Sequence, residues 1–186
     1  EKMVWLNAMP TESAEVIRKT VEKFPHLDIG IFTDDMIYLI RPKVASRIMM
    51  ALDNLTHKKV KSVSEVPTEN WAKVIFFTLP WMKNKVRAFV DSLECPGVVY
   101  IDTTSASFDM VKSDTNKGTA VMKLAEMIGI NENNIGAIGD YYNDFDMLKT
   151  VSHPACCKQA PKDIQAVCEY VACHCNKGAV ADFLEY

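Results

Sequence analysis

Asn134-Ile-Gly-Ala-Ile-Gly-Asp-Tyr-Tyr-Asn-Asp-Phe-Asp-Met-Leu148 is the stretch that decides the fold of this chain. Its apolar run at 135–138 predicts a strand buried on both faces, as in a parallel sheet covered by helices. Gly139 is expected to let the backbone turn after that strand. Asp140 would then stand just beyond the carboxyl end of the strand, where open α/β sheets place their ligands.

The residues that follow extend this arrangement. Asn143 is predicted to cap a helix that continues through 145–148, with Asp144 in its first turn. Two carboxylates and an amide would therefore converge at one strand end. Mg²⁺ takes carboxylate oxygens while it keeps several waters, so Asp140 and Asp144 could supply one direct and one water-mediated ligand. The alternative for Asp140 is a purely structural role as a turn residue.

Length and composition limit the classes of protein to consider. The chain has 186 residues, with 21 Lys and Arg against 24 Asp and Glu, which suits one large domain or two small ones. Its dispersed basic residues give no electrostatic footprint for nucleic acid. No apolar run approaches the roughly 18 residues of a membrane span. We therefore expect a soluble, cytoplasmic protein, and its first residue, Glu1, suggests a trimmed or cleaved product.

The cysteines are concentrated near the carboxyl end of the chain. Five of the six lie there, at Cys156, Cys157, Cys168, Cys173 and Cys175. We interpret them as reduced thiols that fill a core. The alternative is a zinc site at Cys173, His174 and Cys175, although the paired spacing of structural zinc motifs is missing.

The first two thirds of the chain contain an approximate repeat. A strand, a proline, a helix and two strands are predicted between 3 and 40, and again between 73 and 111. Such a βαββ repeat predicts a sheet with helices on one face, which is an α+β layer pair. Asp34, Asp35 and Asp102 suit turns better than catalysis, and Trp71 and Trp81 are expected to pack.

A further helix is predicted to link the two repeats at 42–55. Its apolar residues Val44, Ile48 and Leu52 share one face. The lysines of 58–61 that follow are expected in a solvated loop. We place the first domain at 1–113 and the second at 114–186.

The second domain is expected to alternate strands and helices. A helix begins near Lys117-Gly118, carries Leu124 and Ile128 on its apolar face and ends at Gly129. A short segment runs through Cys156 and Cys157, a strand is expected at 170–173, and helices are expected after Pro161 and Gly178. Lys117 lies at a loop-to-helix junction and could supply a point charge for phosphate oxygens or pair with a carboxylate. A surface position is the alternative for Lys117.

These motifs resemble a known family. Lys117-Gly118-Thr-Ala, then Gly139-Asp140-x-x-Asn143-Asp144-x-x-Met-Leu148, Ala160-Pro161-x-x-Ile164 and Asn176-x-Gly178-Ala-Val180 are similar to the carboxyl-terminal part of haloacid dehalogenase (HAD) superfamily phosphatases of the Cof-like subfamily. The resemblance covers essentially the whole chain, because that subfamily inserts a βαββ-repeat cap of the C2 type before the motif lysine. It implies an α/β fold with a partial Rossmann-like core and an α+β cap.

The resemblance also implies a function. Such enzymes are Mg²⁺-dependent phosphomonoesterases in which an aspartate attacks phosphorus and water releases the aspartyl phosphate. Lys117 resembles the lysine that steadies nucleophile and phosphate, Asp140 the direct metal ligand and Asp144 the outer carboxylate. Asn143 and Gly118 would neighbour the phosphate or substrate. A small phosphorylated metabolite, such as a sugar phosphate, would be the substrate.

The chain departs from the family at two points. Lys158-Gln159-Ala160 stands where the family has Gly-Asn-Ala. The nucleophile motif, Asp-x-Asp followed by Gly-Thr, has no counterpart in the 186 residues, and neither does the Ser/Thr phosphate motif. We therefore expect an N-terminally truncated phosphatase that is inactive alone, its incomplete core held by homodimerisation, crystal contacts or a second segment. The alternative is a non-catalytic relative or binding module.

Overall fold

A computed structural model describes residues 5–186, which belong to two compact units, 1–113 and 114–186. Each unit has its own sheet and its own apolar core. The fold class is the predicted α/β class. No helix in the described residues is long and apolar enough to cross a membrane.

The first unit is built on one six-stranded sheet with the strand order β3-β2-β1-β4-β6-β5. Neighbouring strands are antiparallel except for the parallel pair β2 and β3. The elements are α1 (Ser13–Lys23), β1 (Asp28–Thr33), β2 (Ile37–Ile40), α2 (Val44–Leu52), β3 (His57–Val60), β4 (Trp71–Phe77), α3 (Pro80–Asp91), β5 (Val98–Thr104) and β6 (Ser107–Lys112). The two strands predicted at the end of each repeat are confirmed, and they form the antiparallel pairs β1–β2 and β5–β6.

The two faces of this sheet carry different helices. Tyr38 and Ile40 of β2 belong to the main core, which includes Ile17 of α1 and Val86 of α3. The alternate residues of β2, Ile37 and Leu39, pack with Met50 of α2, because successive side chains of a strand point to opposite faces. The repeat helices therefore share one face, as predicted, and α2 lies on the other.

Two predictions about secondary structure in the first unit are wrong. The first strand was predicted at 3–7, of which Met3 and Val4 lie outside the described residues. Residues 5–10 are irregular, although the Met9 N–H donates to the Trp71 carbonyl at 2.8 Å. The lysine-rich segment predicted as a loop contains β3, whose parallel pairing with β2 satisfies its backbone groups and overrides its polar composition.

Burial in the first unit also differs from expectation at three apolar side chains. Trp71 is 1% exposed and packs as predicted, but Trp81, also expected to pack, is 76% exposed. The predicted stripe on α2 faces outward, since Val44 is 71% and Leu52 80% exposed. This helix is held to the sheet by Met50, which is off that stripe and fully buried.

The second unit contains a three-stranded parallel sheet with the order β7-β8-β9. Its elements are α4 (Lys117–Ile128), β7 (Gly136–Gly139), α5 (Phe145–Thr150), β8 (His153–Cys157), α6 (Lys162–Gln165), β9 (Tyr170–Ala172) and α7 (Ala179–Glu185). The predicted alternation of strands and helices is confirmed. Gly129 ends α4 with a φ of 72°, the left-handed conformation that favours glycine at this position.

The predicted burial of β7 on both faces is wrong. Gly136 is exposed, Ala137 and Ile138 are half-buried, and among the described strands β7 pairs only with β8. On the neighbouring helix α4, Leu124 and Ile128 are 55% and 63% exposed. The unit packs instead through Ala125, Leu148, Cys156 and Ile164.

Candidate functional site

The carboxyl ends of the three parallel strands meet at one edge of the second unit's sheet. Gly139 pairs with Cys156, and Cys157 pairs with Ala172. The residue after β7 is Asp140, which is exposed at this edge. The sequence prediction of a carboxylate beyond a strand end therefore agrees with the geometry.

Asp144 is the buried centre of the site. It is 5% exposed and both of its carboxylate oxygens are engaged. Lys117 Nζ donates to Oδ1 at 2.5 Å, and the backbone N–H of Asp140 donates to Oδ2 at 3.0 Å. The carboxylate of Asp144 thus joins the backbone of Asp140 to Lys117, which lies 27 positions before Asp144 in the sequence.

The electrostatics of Asp144 follow from these contacts. Burial alone would raise the pKa of Asp144, because it disfavours the charged form. The hydrogen bonds from Lys117 and from the Asp140 backbone outweigh burial and leave that pKa below its ordinary value. Asp144 is therefore held as a carboxylate in a buried position.

Gly139 makes room for this carboxylate. A Cβ at position 139 would lie 2.5 Å from the Cβ of Asp144 and 2.9 Å from its Oδ2. Its φ is not among the positive ones in the described backbone, so the turn after β7 does not depend on a left-handed glycine. Its missing side chain is what the site requires, since Asp144 occupies that space.

Lys117 is positioned by the start of α4. The Asn116 side chain accepts from the Thr119 N–H at 2.9 Å, and the Thr119 hydroxyl accepts from the Asn116 N–H at 3.1 Å. Such reciprocal bonds satisfy backbone groups that a helix end leaves unpaired. They fix the first turn from which the lysine reaches Asp144.

Gly118 lies inside the same turn and is buried. A Cβ there would lie 2.9 Å from Thr150 Oγ1 and 3.0 Å from the Asp146 carbonyl oxygen. Gly118 therefore lets α4 and α5 approach closely. Its part in phosphate binding stays a prediction.

Asn143 does not cap the following helix as predicted. It lies within a short 3₁₀ turn, Tyr142–Asp144, and Asp144 is the residue that precedes α5. No side-chain cap is formed at that helix start, because the carboxylate of Asp144 is taken by Lys117 and Asp140. Asn143 is exposed at the sheet edge, and its contact with phosphate stays a prediction.

The fit of a divalent cation can be judged from the oxygen atoms. The carboxylate of Asp140 accepts no hydrogen bond and joins no ion pair in the part of the chain that the structure describes. It is thus available as a direct ligand, whereas both oxygens of Asp144 are already engaged and suit an outer position. Hard oxygen ligands with room for water fit Mg²⁺. Within 5–186, no three His, Cys, Asp or Glu side chains cluster as a complete metal site.

Sequence reasoning missed a tyrosine pair beside the site. Tyr141 and Tyr142 are 58% and 53% exposed, and their rings meet edge to face at 5.0 Å. Tyr142 Oη donates to Asp163 Oδ1 at 3.3 Å, which ties the loop after β7 to α6. The sequence feature that could have indicated this pair is the two adjacent tyrosines in the loop after β7.

The cysteines of this unit are all free thiols. Cys156 is fully buried and Cys157 is 8% exposed, as expected of core thiols. Burial raises the pKa of Cys157, and the nearby negative charge of Asp140 raises it further. Cys175 Sγ lies 3.6 Å from His174 Nδ1, whereas Cys173 Sγ donates to the Lys177 carbonyl at 3.5 Å. Among the described residues, no three His, Cys, Asp or Glu side chains cluster as a metal site, so the zinc alternative at Cys173, His174 and Cys175 is wrong.

A comparison with protein-family profiles identifies one family. Residues 1–184 match the profile of the haloacid dehalogenase-like hydrolases. A Haemophilus influenzae protein that is provisionally named a phosphatase is 31% identical over 77 residues, which are 41% of this chain and 29% of that protein. The chain therefore spans under a third of that relative.

Solved structures share the fold at low sequence identity. A haloacid dehalogenase-like hydrolase of Bacteroides thetaiotaomicron superposes with a TM-score of 0.85 at 18% identity, over 99% of this chain and 69% of that one. A Thermotoga maritima protein gives 0.85 at 17%, over 98% and 68%. A sugar phosphatase of HAD subclass IIB gives 0.71 at 17%, over 96% and 66%.

Proposed function

Because the chain belongs to the haloacid dehalogenase-like hydrolase family, we propose that it supplies part of a Mg²⁺-dependent phosphomonoester hydrolase. The observation that carries the proposal is the arrangement of Lys117, Asp140 and Asp144 at the carboxyl edge of a parallel sheet. It presents one open carboxylate, one buried carboxylate and one ammonium group at a single edge.

Each residue has a role that follows from its surroundings. Asp140, exposed and without a side-chain partner in the described chain, would hold Mg²⁺ directly. Asp144 would act through water and would fix the Lys117 ammonium, with which it makes a 2.5 Å contact. Lys117, with its side chain 52% exposed, would present the remaining positive charge to phosphate oxygens. Bound Mg²⁺ would neutralise charge on the transferring phosphoryl group.

We further propose that the nucleophile is an aspartate outside these 186 residues, and that the reaction passes through an aspartyl phosphate. The share of the solved neighbours that the chain covers, 66–69% of each of the three, supports a longer polypeptide. In this proposal, 1–113 is the cap that selects the substrate and 114–186 is the carboxyl-terminal part of the core. The 186-residue chain alone would not turn over substrate.

The proposed substrate is a small phosphorylated metabolite, and a sugar phosphate is favoured because one structural neighbour is named a sugar phosphatase. A homodimer or a further segment would cover the exposed apolar residues of α4. The second candidate function is a non-catalytic protein of the same fold. The lack of an Asp-x-Asp motif followed by Gly-Thr in these 186 residues favours that alternative.

The test uses p-nitrophenyl phosphate and two proteins, the 186-residue chain and the product of the complete reading frame. We expect Mg²⁺-dependent phosphate release from the longer protein and none from the shorter. Asp140→Asn in the longer protein should lower kcat by at least about 100-fold, because the metal would lose its direct ligand. Asp146→Asn, in the first turn of α5, is the matched control and should leave kcat near that of the parent.

Three results would contradict the proposal. Unchanged activity in Asp140→Asn would remove the metal assignment. Phosphate release from the pure 186-residue chain would refute an external nucleophile. A complete reading frame with no upstream Asp-x-Asp and no activity would favour the non-catalytic alternative.

A further inference from the structure

The first unit contains a cleft that the proposed chemistry does not use. Its volume is about 690 Å³, and it is lined by the end of α1, the start of α2 and the start of α3. Clefts of roughly 300–1,000 Å³ with mainly apolar walls are the usual form of small-molecule sites.

The walls of the cleft are apolar. Phe24, Leu27, Phe77 and Val86 line it from the core side, and Ile48 lines it from α2. Ile48 is 52% exposed and Val44, on the same helix face, is 71% exposed. The stripe of α2 that does not pack on the sheet therefore forms part of this wall, and leaving it in water is unfavourable.

The opening of the cleft is positively charged. Lys23, His26 and Lys43 line it and are exposed, and none of them joins an ion pair with another residue in 5–186. The acidic lining residue is Asp28, which is 2% exposed and therefore lies deeper than the lysines. Two lysine charges thus face solvent at the opening with no exposed carboxylate in the lining.

Asp28 shapes the floor of the cleft. Its Oδ2 accepts from the Lys43 N–H at 2.9 Å, which ties the start of α2 to the start of β1. Its Oδ1 has no hydrogen-bond partner within the described residues. Burial raises the pKa of Asp28, and the contacts with Lys43 and Ser46 oppose that effect only in part. The floor therefore contains one buried carboxyl group, tied to the Lys43 backbone, while the exposed lysines make the opening positive.

We propose that this cleft binds a small amphipathic acid, with its apolar body against Phe24, Ile48 and Phe77 and its anionic head at Lys23 and Lys43. Burial of the body supplies most of the affinity, since apolar contact area is the main attractive contribution. The two lysines select the sign of the head group.

The test compares three ligands that share one apolar body, 3-phenylpropionate, 3-phenylpropan-1-ol and 3-phenylpropylammonium. Binding to the 186-residue chain is followed by NMR shifts of the methyl groups of Val44, Ile48 and Met82. We expect saturable binding with the acid tightest and the ammonium compound at least three-fold weaker, as opposite charges at an exposed opening contribute modestly.

Variants separate the apolar and the charged contributions. Ile48→Asn should abolish binding of all three ligands without adding a charge, and its half-exposed position lets the fold tolerate the change. Lys23→Gln with Lys43→Gln should leave the alcohol unaffected and make the acid bind no more tightly than the alcohol. Lys58→Gln with Lys59→Gln, two exposed lysines on β3, is the control and should preserve the order of affinities.

Two outcomes would overturn the inference. One is the absence of saturable shifts at Val44, Ile48 and Met82 for every ligand up to its solubility limit. The other is equal affinity for the acid and the ammonium compound in the unaltered chain. Neither outcome bears on phosphatase activity, because no residue of the cleft belongs to the candidate catalytic set.

Discussion

At the scale of single residues, the site depends on one missing side chain and one ion pair. Gly139 leaves the space that Asp144 fills, and Lys117 compensates the charge that Asp144 carries into a buried position. A buried carboxylate without such partners would be strongly disfavoured. These two residues therefore hold Asp144, and with it the loop that presents Asp140.

Gly139→Ala should displace Asp144, because the new methyl group would lie 2.5 Å from the Asp144 Cβ. Overpacking of this kind costs about 1–3 kcal/mol of unfolding free energy, which urea denaturation would measure. Gly136→Ala on the same strand is the control. Its Cβ would lie 3.1 Å from the edge of the Phe183 ring and 3.6 Å from the His153 carbonyl oxygen, which is less crowded than at Gly139, so a smaller loss is expected. Equal losses in the two variants would contradict this account.

Lys117→Met should make stability depend less on pH at the acid end. The folded pKa of Asp144 is lowered, so its contribution is present above the unfolded pKa of about 4 and is lost as pH falls through the folded pKa. The variant leaves Asp144 Oδ1 without its donor, at a cost of about 1–3 kcal/mol at pH 7. The difference in unfolding free energy between the parent and the variant should then disappear at lower pH.

Urea titrations between pH 7 and pH 2.5 would measure this gap. Lys123→Met is the matched control on the same helix, since Lys123 pairs with the largely exposed Glu126. That exposed pair should contribute less than about 1 kcal/mol at any pH. A gap for Lys117→Met that is independent of pH would show that Asp144 is not stabilised by the lysine charge.

At the scale of elements, the sequence predicted strands and helices better than it predicted which helix faces are buried. The hairpins follow from turn residues and β-branched runs, which are local features. The stripes of α2 and α4 follow the 3.6-residue period, yet Leu52 and Ile128 are exposed. The spacing of apolar residues identifies one face of a helix, but it does not show whether another part of the chain packs against that face. The close approach at Gly139 depends on a residue five positions later and on the fold, so sequence reasoning could not find it.

Met50→Ala and Leu52→Ala should differ sharply although both remove a similar apolar side chain from α2. Met50 is 2% exposed and joins this helix to β2, whereas Leu52 is 80% exposed. We expect losses of about 2–5 kcal/mol for Met50→Ala and within about 0.5 kcal/mol for Leu52→Ala. Urea denaturation followed by tryptophan fluorescence would measure both. A larger loss for Leu52→Ala would mean that the predicted stripe is the packed face after all.

At the scale of the whole molecule, the two units have apolar cores of different size. The first has a six-stranded sheet and a large continuous core, and the second has three strands and several exposed apolar side chains on α4. A sheet of three short strands buries little surface and is a weak basis for independent stability. The second unit should therefore unfold first.

This order of unfolding can be observed because all three tryptophans, Trp5, Trp71 and Trp81, lie in the first unit. Tryptophan fluorescence reports that unit, and far-ultraviolet circular dichroism reports both. We expect the circular dichroism transition to begin at lower urea than the fluorescence transition, which departs from two-state behaviour. The isolated unit 1–113 should reproduce the fluorescence transition. Coincident curves for the full chain would indicate a single cooperative unit.

The hydrogen bond from the Asp140 N–H to Asp144 Oδ2 closes the loop between them into a small ring. That ring fixes the length of the loop. One residue inserted between 140 and 144 would move the Asp144 carboxylate away from both the Asp140 N–H and the Lys117 ammonium group. In alignments of related proteins, gaps should therefore be absent from 139–144. A constant loop length would then identify proteins that keep this site even where the residue types differ.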